Sequence, residues 1–275
     1  MPAARQTLPP PPESRGRSLR LSAPRRLVCD LLHVARTVPT VPVQRVMDVS
    51  RVAAARERAG RSVGWCALFV KAFALAARDT PALRRAYLTY PRPRLYEHPF
   101  STASVAVERE FEGEPGVFFA HLPAPDAAPL PALDAALRWH KTAPVREAFG
   151  FGLGFARLPR PVRRLAWWYL ANVRGNRKAQ FLGTFGVSVY SALGAESLHP
   201  LSPLTTTLNY GVVGPDGRVP VRLVYDHRVM DGATVARALA AIEEALNTAI
   251  AVELADLVPA AGVEPPHLKF LGRSA

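Results

Sequence analysis

Residues 218–246 read RVPVRLVYDHRVMDGATVARALAAIEEAL, and the stretch changes period once, at its middle. From Arg218 to Asp226, Val219, Val221, Leu223 and Tyr225 share one face and Arg222 lies on the other, the period of a strand with one apolar side. From Ala233 to Leu246, Val235, Leu239, Ile242 and Leu246 recur at helical spacing in an Ala-rich background. Gly232 permits a tight turn between them. The junction Asp226-His227-Arg228-Val229-Met230-Asp231-Gly232 therefore projects from the end of a rigid element. It carries a base, His227, and a carboxylate, Asp231, four positions apart. As bare spacing, His-x-x-x-Asp also suits a structural histidine.

Working back from this junction, Gly214-Pro215-Asp216-Gly217 forms a turn into the strand, and Thr205–Val213 and Thr184–Tyr190 read as two further strands. Arg160–Val173 (RPVRRLAWWYLANV) is a basic, aromatic helix with Pro161 in its first turn and Gly175 beyond its end. Its first reading is a core or oligomer-contact helix; its second, through Trp167-Trp168, is a helix lying on a membrane surface. A helix at Leu133–His140 follows a Pro-rich bridge. Thr102–Glu108 and Val117–His121 form a strand pair across a turn at Gly113. Val63–Asp79 is a long apolar helix stopped by Pro81, preceded by a short helix at Val52–Arg58, a strand within Val38–Val49 and a first helix at Leu27–Arg36. Residues 1–24, rich in Pro and Arg and without periodicity, read as a basic tail, and 25–275 as a single domain. Strands and helices mixed without regular βαβ crossovers predict an α+β sandwich of one mixed sheet backed by helices.

The chain has 275 residues, 35 Lys or Arg against 22 Asp or Glu, and a net charge of +13. That excess invites a nucleic-acid or anionic-membrane partner. However, nearly all the basic residues are Arg, they are dispersed, and no aromatic-basic recognition module accompanies them, which argues against nucleic acid. The most apolar run, Val63–Ala77, is interrupted by Lys71 and is shorter than the roughly 20 residues a bilayer span requires. The N-terminal residues lack the apolar core of a signal peptide. Cys29 and Cys66 are too few for a disulfide framework, and the dispersed histidines form no metal-ligand cluster with them, so a cytoplasmic, metal-free protein is expected.

The whole string DHRVMDG resembles the DHR-x-x-DG signature of the 2-oxo acid dehydrogenase acyltransferase catalytic-domain family, whose fold is chloramphenicol acetyltransferase-like. Gly183-Thr184-Phe185-Gly186-Val187-Ser188 is similar to that family's Gly-Thr-Phe-x-x-Ser strand, and Leu201-Ser202-Pro203-Leu204 to its Phe-x-Pro-Ile segment. ALFVKAFALAARDTPAL, 67–83, is similar to one of its helices. The resemblance covers roughly residues 25–255. The segment 124–179 and the polar strand Thr205-Thr206-Thr207-Leu208-Asn209 depart from the family pattern. No lipoyl domain is recognisable, so a freestanding catalytic domain is expected.

The resemblance implies a two-layer sandwich and an acyltransferase that moves an acyl group between CoA, or another thioester, and a thiol or hydroxyl acceptor. A lipoyl group in trans is one such acceptor. It assigns His227 as general base and Ser188 as oxyanion donor, with Ser191 close enough to compete through a register shift. Asp231 would orient the loop, Asp226 and Arg228 would hold its geometry, and Thr206 would be a pocket residue on the CoA or acceptor side. It further implies a homotrimer, with or without assembly into a larger cage, in which one chain supplies the histidine and its neighbour the serine. The competing reading is an inactive trimeric scaffold that keeps the fold without the chemistry.

Overall fold

In the computed structural model, which describes residues 16–257, the strand that ends at Asp226 is the last of eight. In chain order the elements are α1 (Ala23–Ala35), β1 (Thr40–Asp48), α2 (Ser50–Arg58), α3 (Trp65–Asp79), β2 (Arg85–Leu88), β3 (Arg94–Glu97), β4 (Thr102–Phe111) and β5 (Glu114–Pro123). There follow α4 (Leu130–Thr142), α5 (Val145–Phe155), α6 (Arg160–Asn172), α7 (Gly175–Leu182), β6 (Phe185–Val187), β7 (Thr206–Tyr210), β8 (Arg218–Asp226), α8 (Gly232–Ala245) and α9 (Ala251–Asp256).

Six strands form one sheet in the order β1-β8-β7-β6-β4-β5, and β2–β3 pair separately. β6 runs parallel to both β4 and β7, while the remaining pairs are antiparallel, so the sheet is mixed as expected. Its inner face carries Val105, Phe185, Leu208, Leu223 and Tyr225, all buried against α3 and α8 in the main core. Two aromatic stacks fix α3 there: Phe69 lies on Tyr210 with centroids 4.1 Å apart, and Phe73 on Phe185 at 4.0 Å. Lys71, the charge within this apolar helix, is buried and pairs with Glu253 of α9 at 2.5 Å.

A second group of helices, α1 and α5–α7, packs beside the other face of the sheet. Val34, Trp167, Ala171, Leu182 and Leu204 form its small core. Buried Asp30 ties α1 to α6 through Arg163 at 2.6 Å and Arg164 at 3.3 Å. In α6, Trp167 is buried and Trp168 exposed, so the helix packs by one side only.

The elements not expected from sequence are the β2–β3 hairpin, α5, α7 and α9, the last lying beyond the expected helix end at Leu246. The strand expected at Thr184–Tyr190 is only Phe185–Val187, because the pairing of β4 with β6 ends at Val105–Val187. The tail expected over 1–24 lies largely outside the described residues; the chain enters α1 at Ala23, with Ser22 Oγ accepting from the backbone N–H of Arg25. Among the described residues no helix is long and apolar enough to cross a membrane.

Candidate active site

His227 stands one residue beyond β8, and its neighbours leave the backbone little freedom. Its N–H donates to the carbonyl of Pro39, just before β1, at 3.1 Å. On one side of it Asp226 is buried, and its carboxylate accepts from Arg228 three times: from Nε at 2.9 Å, from Nη2 at 2.7 Å and from the backbone N–H at 3.0 Å. The same guanidinium lies over the ring of Tyr87 in β2, 4.4 Å from its centroid, a cation–π contact. On the other side, Val229 and Met230 are buried in the main core. The histidine is thus carried on a fixed loop while its own side chain remains 50% exposed.

Asp231 reaches His227 less closely. Its Oδ1 is 3.7 Å from Nδ1, beyond hydrogen-bond range, and its side chain is 86% exposed. Its backbone carbonyl accepts from Thr234 and Val235 and so starts α8. Behind the loop, Lys178 of α7 is buried. Burial pushes its ammonium down to about 8; Asp226 acts against this and Arg228 adds to it. Sequence reasoning missed Lys178, since nothing in its own segment links it to a strand fifty residues later.

Ser188 follows β6 directly. Its N–H donates to Leu208 at 3.1 Å and its carbonyl accepts from Asn209 Nδ2. Ser188 lines a cavity of about 640 Å³ on the outer face of the sheet, whereas Ser191, at the start of a short 3₁₀ turn, does not. Thr206 is fully buried on the inner face between Phe185 and Tyr225, its Oγ1 without a partner, and does not line the cavity. Its neighbour Thr207 does, together with Ser104 and His121, which sequence reasoning also missed. The alternation of β5 was the available signal for His121, since it shares a face with Phe119 and opposes Ala120 and Leu122.

One protomer does not bring His227 and Ser188 together. Val187, Leu208 and Leu223 are register partners, so Ser188 is level with Arg222, two strands across from β8 and five residues short of His227. At strand spacings that is roughly 20 Å. Among the described residues no group of three or more His, Cys, Asp or Glu side chains could hold a metal ion.

No protein-family model matches the chain, and no curated protein matches it. Solved structures do. The dihydrolipoamide acetyltransferase of Azotobacter vinelandii is similar over 88% of this chain and 99% of its own, with a TM-score of 0.62 at 17% identity. A truncated catalytic core of the 2-oxoacid dehydrogenase multienzyme complex from Thermoplasma acidophilum is similar over 85% of this chain and 99% of its own, with a TM-score of 0.62 at 16% identity. The cubic core of a pyruvate dehydrogenase multienzyme complex covers 89% of this chain and 98% of its own, with a TM-score of 0.57 at 17% identity. These likenesses establish the α+β fold of dihydrolipoamide acetyltransferase cores.

Proposed function

We propose that the chain is an acyltransferase that moves an acyl group between CoA, or another thioester, and a thiol or hydroxyl acceptor, at sites shared between copies. The observation that carries this reading is the loop of His227: four of its neighbours, Asp226, Arg228, Val229 and Met230, are held by hydrogen bonds or burial, while the imidazole is left half-exposed. A structural histidine needs no such mounting, whereas a base must be held in position and stay accessible.

In the proposed reaction His227 takes the proton from the acceptor thiol or hydroxyl. The acceptor then attacks the thioester carbonyl carbon, and the carbonyl π pair moves to oxygen. Ser188 from the adjacent copy donates a hydrogen bond to that oxyanion, a contribution of about 10² to 10³ in rate. The tetrahedral intermediate collapses by breaking its C–S bond, and His227 returns the proton to the leaving sulfur. Asp226 and Arg228 act as positioning residues.

The separation of roughly 20 Å between Ser188 and His227 within one chain supports a shared site, since neither can serve the other at that distance. The likeness to a cubic core, an assembly of many copies, supports oligomerisation. In the Azotobacter enzyme a serine, a histidine and an asparagine four positions after the histidine have been examined for roles in catalysis. His227 and Asp231 have the same spacing.

A panel of acyl-CoAs offered with dihydrolipoamide or other thiol acceptors, with free CoA followed over time, tests the reading. Release that depends on both acceptor and His227 supports it; a chain that forms stable oligomers but releases no CoA with any member of the panel is a scaffold instead.

A further inference from the structure

The cavity beside Ser188 is built across four strands and closed by four helices. Its floor is a row of register partners, His121, Ser104, Gly186 and Thr207, with Ser188 two residues beyond Gly186 on the same face. A Cβ at Gly186 would meet Thr207 Oγ1 at 3.1 Å, so the glycine keeps this floor low. The walls are Leu27 and Leu31 of α1, Phe149 and Phe155 of α5, and Trp167 and Leu170 of α6. Phe151 and Phe181, stacked with centroids 5.4 Å apart, also line it and join α5 to α7.

Charge is missing from this lining. Among the described residues no Asp, Glu, Lys or Arg side chain contributes to it, in a chain that carries 35 basic and 22 acidic residues. The nearby arginines of α6, Arg163 and Arg164, turn to Asp30 instead. His121 is ionisable, but burial lowers its pKa, which keeps it neutral at pH 7. The polar groups of the lining are neutral, with Ser104, His121, Thr207 and Ser188 gathered on the floor, while the walls of α1, α5 and α6 are apolar. An ammonium or a CoA phosphate would lose its water there without an ionic partner, whereas an alkyl chain running along the walls has no polar group to satisfy. At about 640 Å³ the volume lies within the roughly 300–1,000 Å³ typical of small-molecule pockets.

We propose that this cavity receives a medium-length to long aliphatic acyl chain, with the thioester carbonyl at Ser188 and the tail directed between α1 and α5. The inference rests on the acyltransferase reading and specifies its substrate class: a hydrophobic acyl donor rather than an acetyl group.

The test uses the intact chain and a series of acetyl-, butyryl-, hexanoyl- and octanoyl-CoA, with the dissociation constant read by titration calorimetry and CoA release measured in parallel. Affinity is expected to rise by about fourfold per added methylene as each is buried. Gly152 lies on the α5 wall, where an added Cβ would meet only Leu27, at an ordinary 3.5 Å, so Gly152→Phe fills the cavity without a backbone clash. This variant should bind acetyl-CoA like wild type and lose the gain for octanoyl-CoA. Ala166→Phe, on the α6 wall, should do the same and guards against a local folding defect in either variant.

Affinity independent of chain length overturns the proposal, and if His227-dependent release of acetyl groups persists the acyltransferase reading still stands. Chain-length-dependent binding without His227-dependent release keeps the cavity assignment and removes the catalytic one. Absent chain-length dependence together with a smaller oligomer in Gly152→Phe would assign the apolar surface to a contact between copies and also overturn the proposal.

Discussion

Asp226 grips Arg228 across His227: three hydrogen bonds of 2.7–3.0 Å join the residues on either side of the imidazole, and Arg228 in turn rests on Tyr87. The geometry fixes the backbone at His227 while leaving its side chain half-exposed. Positioning and accessibility are thereby assigned to different residues of one short string.

Asp226→Asn tests the positioning role. It removes the ionic acceptor of a largely buried pair, and with Arg228 partly exposed the expected loss of stability is about 2 kcal/mol, below the value for a fully buried pair. Turnover should fall about tenfold or more with little change in KM for the acyl donor, as expected when a base is displaced rather than removed. Urea titration and CoA release measure the two effects separately; unchanged kcat in a folded variant would reduce the pair to a structural one.

His227→Ala should lower transfer by about 10² to 10⁴. Because the side chain is half-exposed and only its backbone N–H is engaged, stability should change by less than about 0.5 kcal/mol. Near-wild-type turnover in this variant would eliminate His227 as the base.

Asp231→Asn should change turnover by less than about fivefold, since a contact of 3.7 Å to an exposed carboxylate is screened by solvent. A loss as large as that of His227→Ala would mean that Asp231 takes part in proton transfer.

Buried His98, next to Lys178 and Arg84, predicts the acid limit of the fold. Burial pushes its pKa down to about 4, with Lys178 and Arg84 adding to the shift. Between pH 6.5 and that value the unfolded chain binds the proton and the folded chain resists it, so this contribution is complete above 6.5 and is lost as pH falls. The loss should reach about 2 kcal/mol by pH 5. Urea midpoints at pH 7 and pH 5 check it, and His98→Gln should flatten the difference; an unchanged slope would contradict the assignment.

The strand-to-helix string 218–246 was legible because β8 turns Val219, Val221, Leu223 and Tyr225 to the main core and sets Arg222 and Asp226 on its other face, so polarity alternates even though both faces are covered from Val221 onward. α5 was not legible. Its sequence, VREAFGFGLGF, carries three glycines that lower helix propensity, and its helical path is kinked at Phe149 (φ −131°, ψ 19°), whose ring stacks on Phe118 of β5 at 4.8 Å and anchors the segment to the sheet. β2 and β3 have four residues each, too few for a period to emerge. At the site, His227 and Ser188 were read from motif resemblance. Thr206 illustrates the limit of such reading: Thr205-Thr206-Thr207 has no apolar alternation, so nothing in the sequence says which threonine faces the core, and a shift of one residue exchanges the faces. The cavity is legible from no single segment, because α1, α5–α7 and four strands each supply part of it.

The central claim, a site divided between copies, is tested most directly by mixing two inactive variants. His227→Ala and Ser188→Ala chains are unfolded and reassembled together in equal amounts, with mass-tagged chains to demonstrate exchange. If each site takes its histidine from one chain and its serine from the next, a random mixture restores both residues in about one quarter of the sites, and activity should recover to about that fraction of wild type. If each site is built within one chain, every site lacks one group, and no recovery with exchange demonstrated would contradict the shared site.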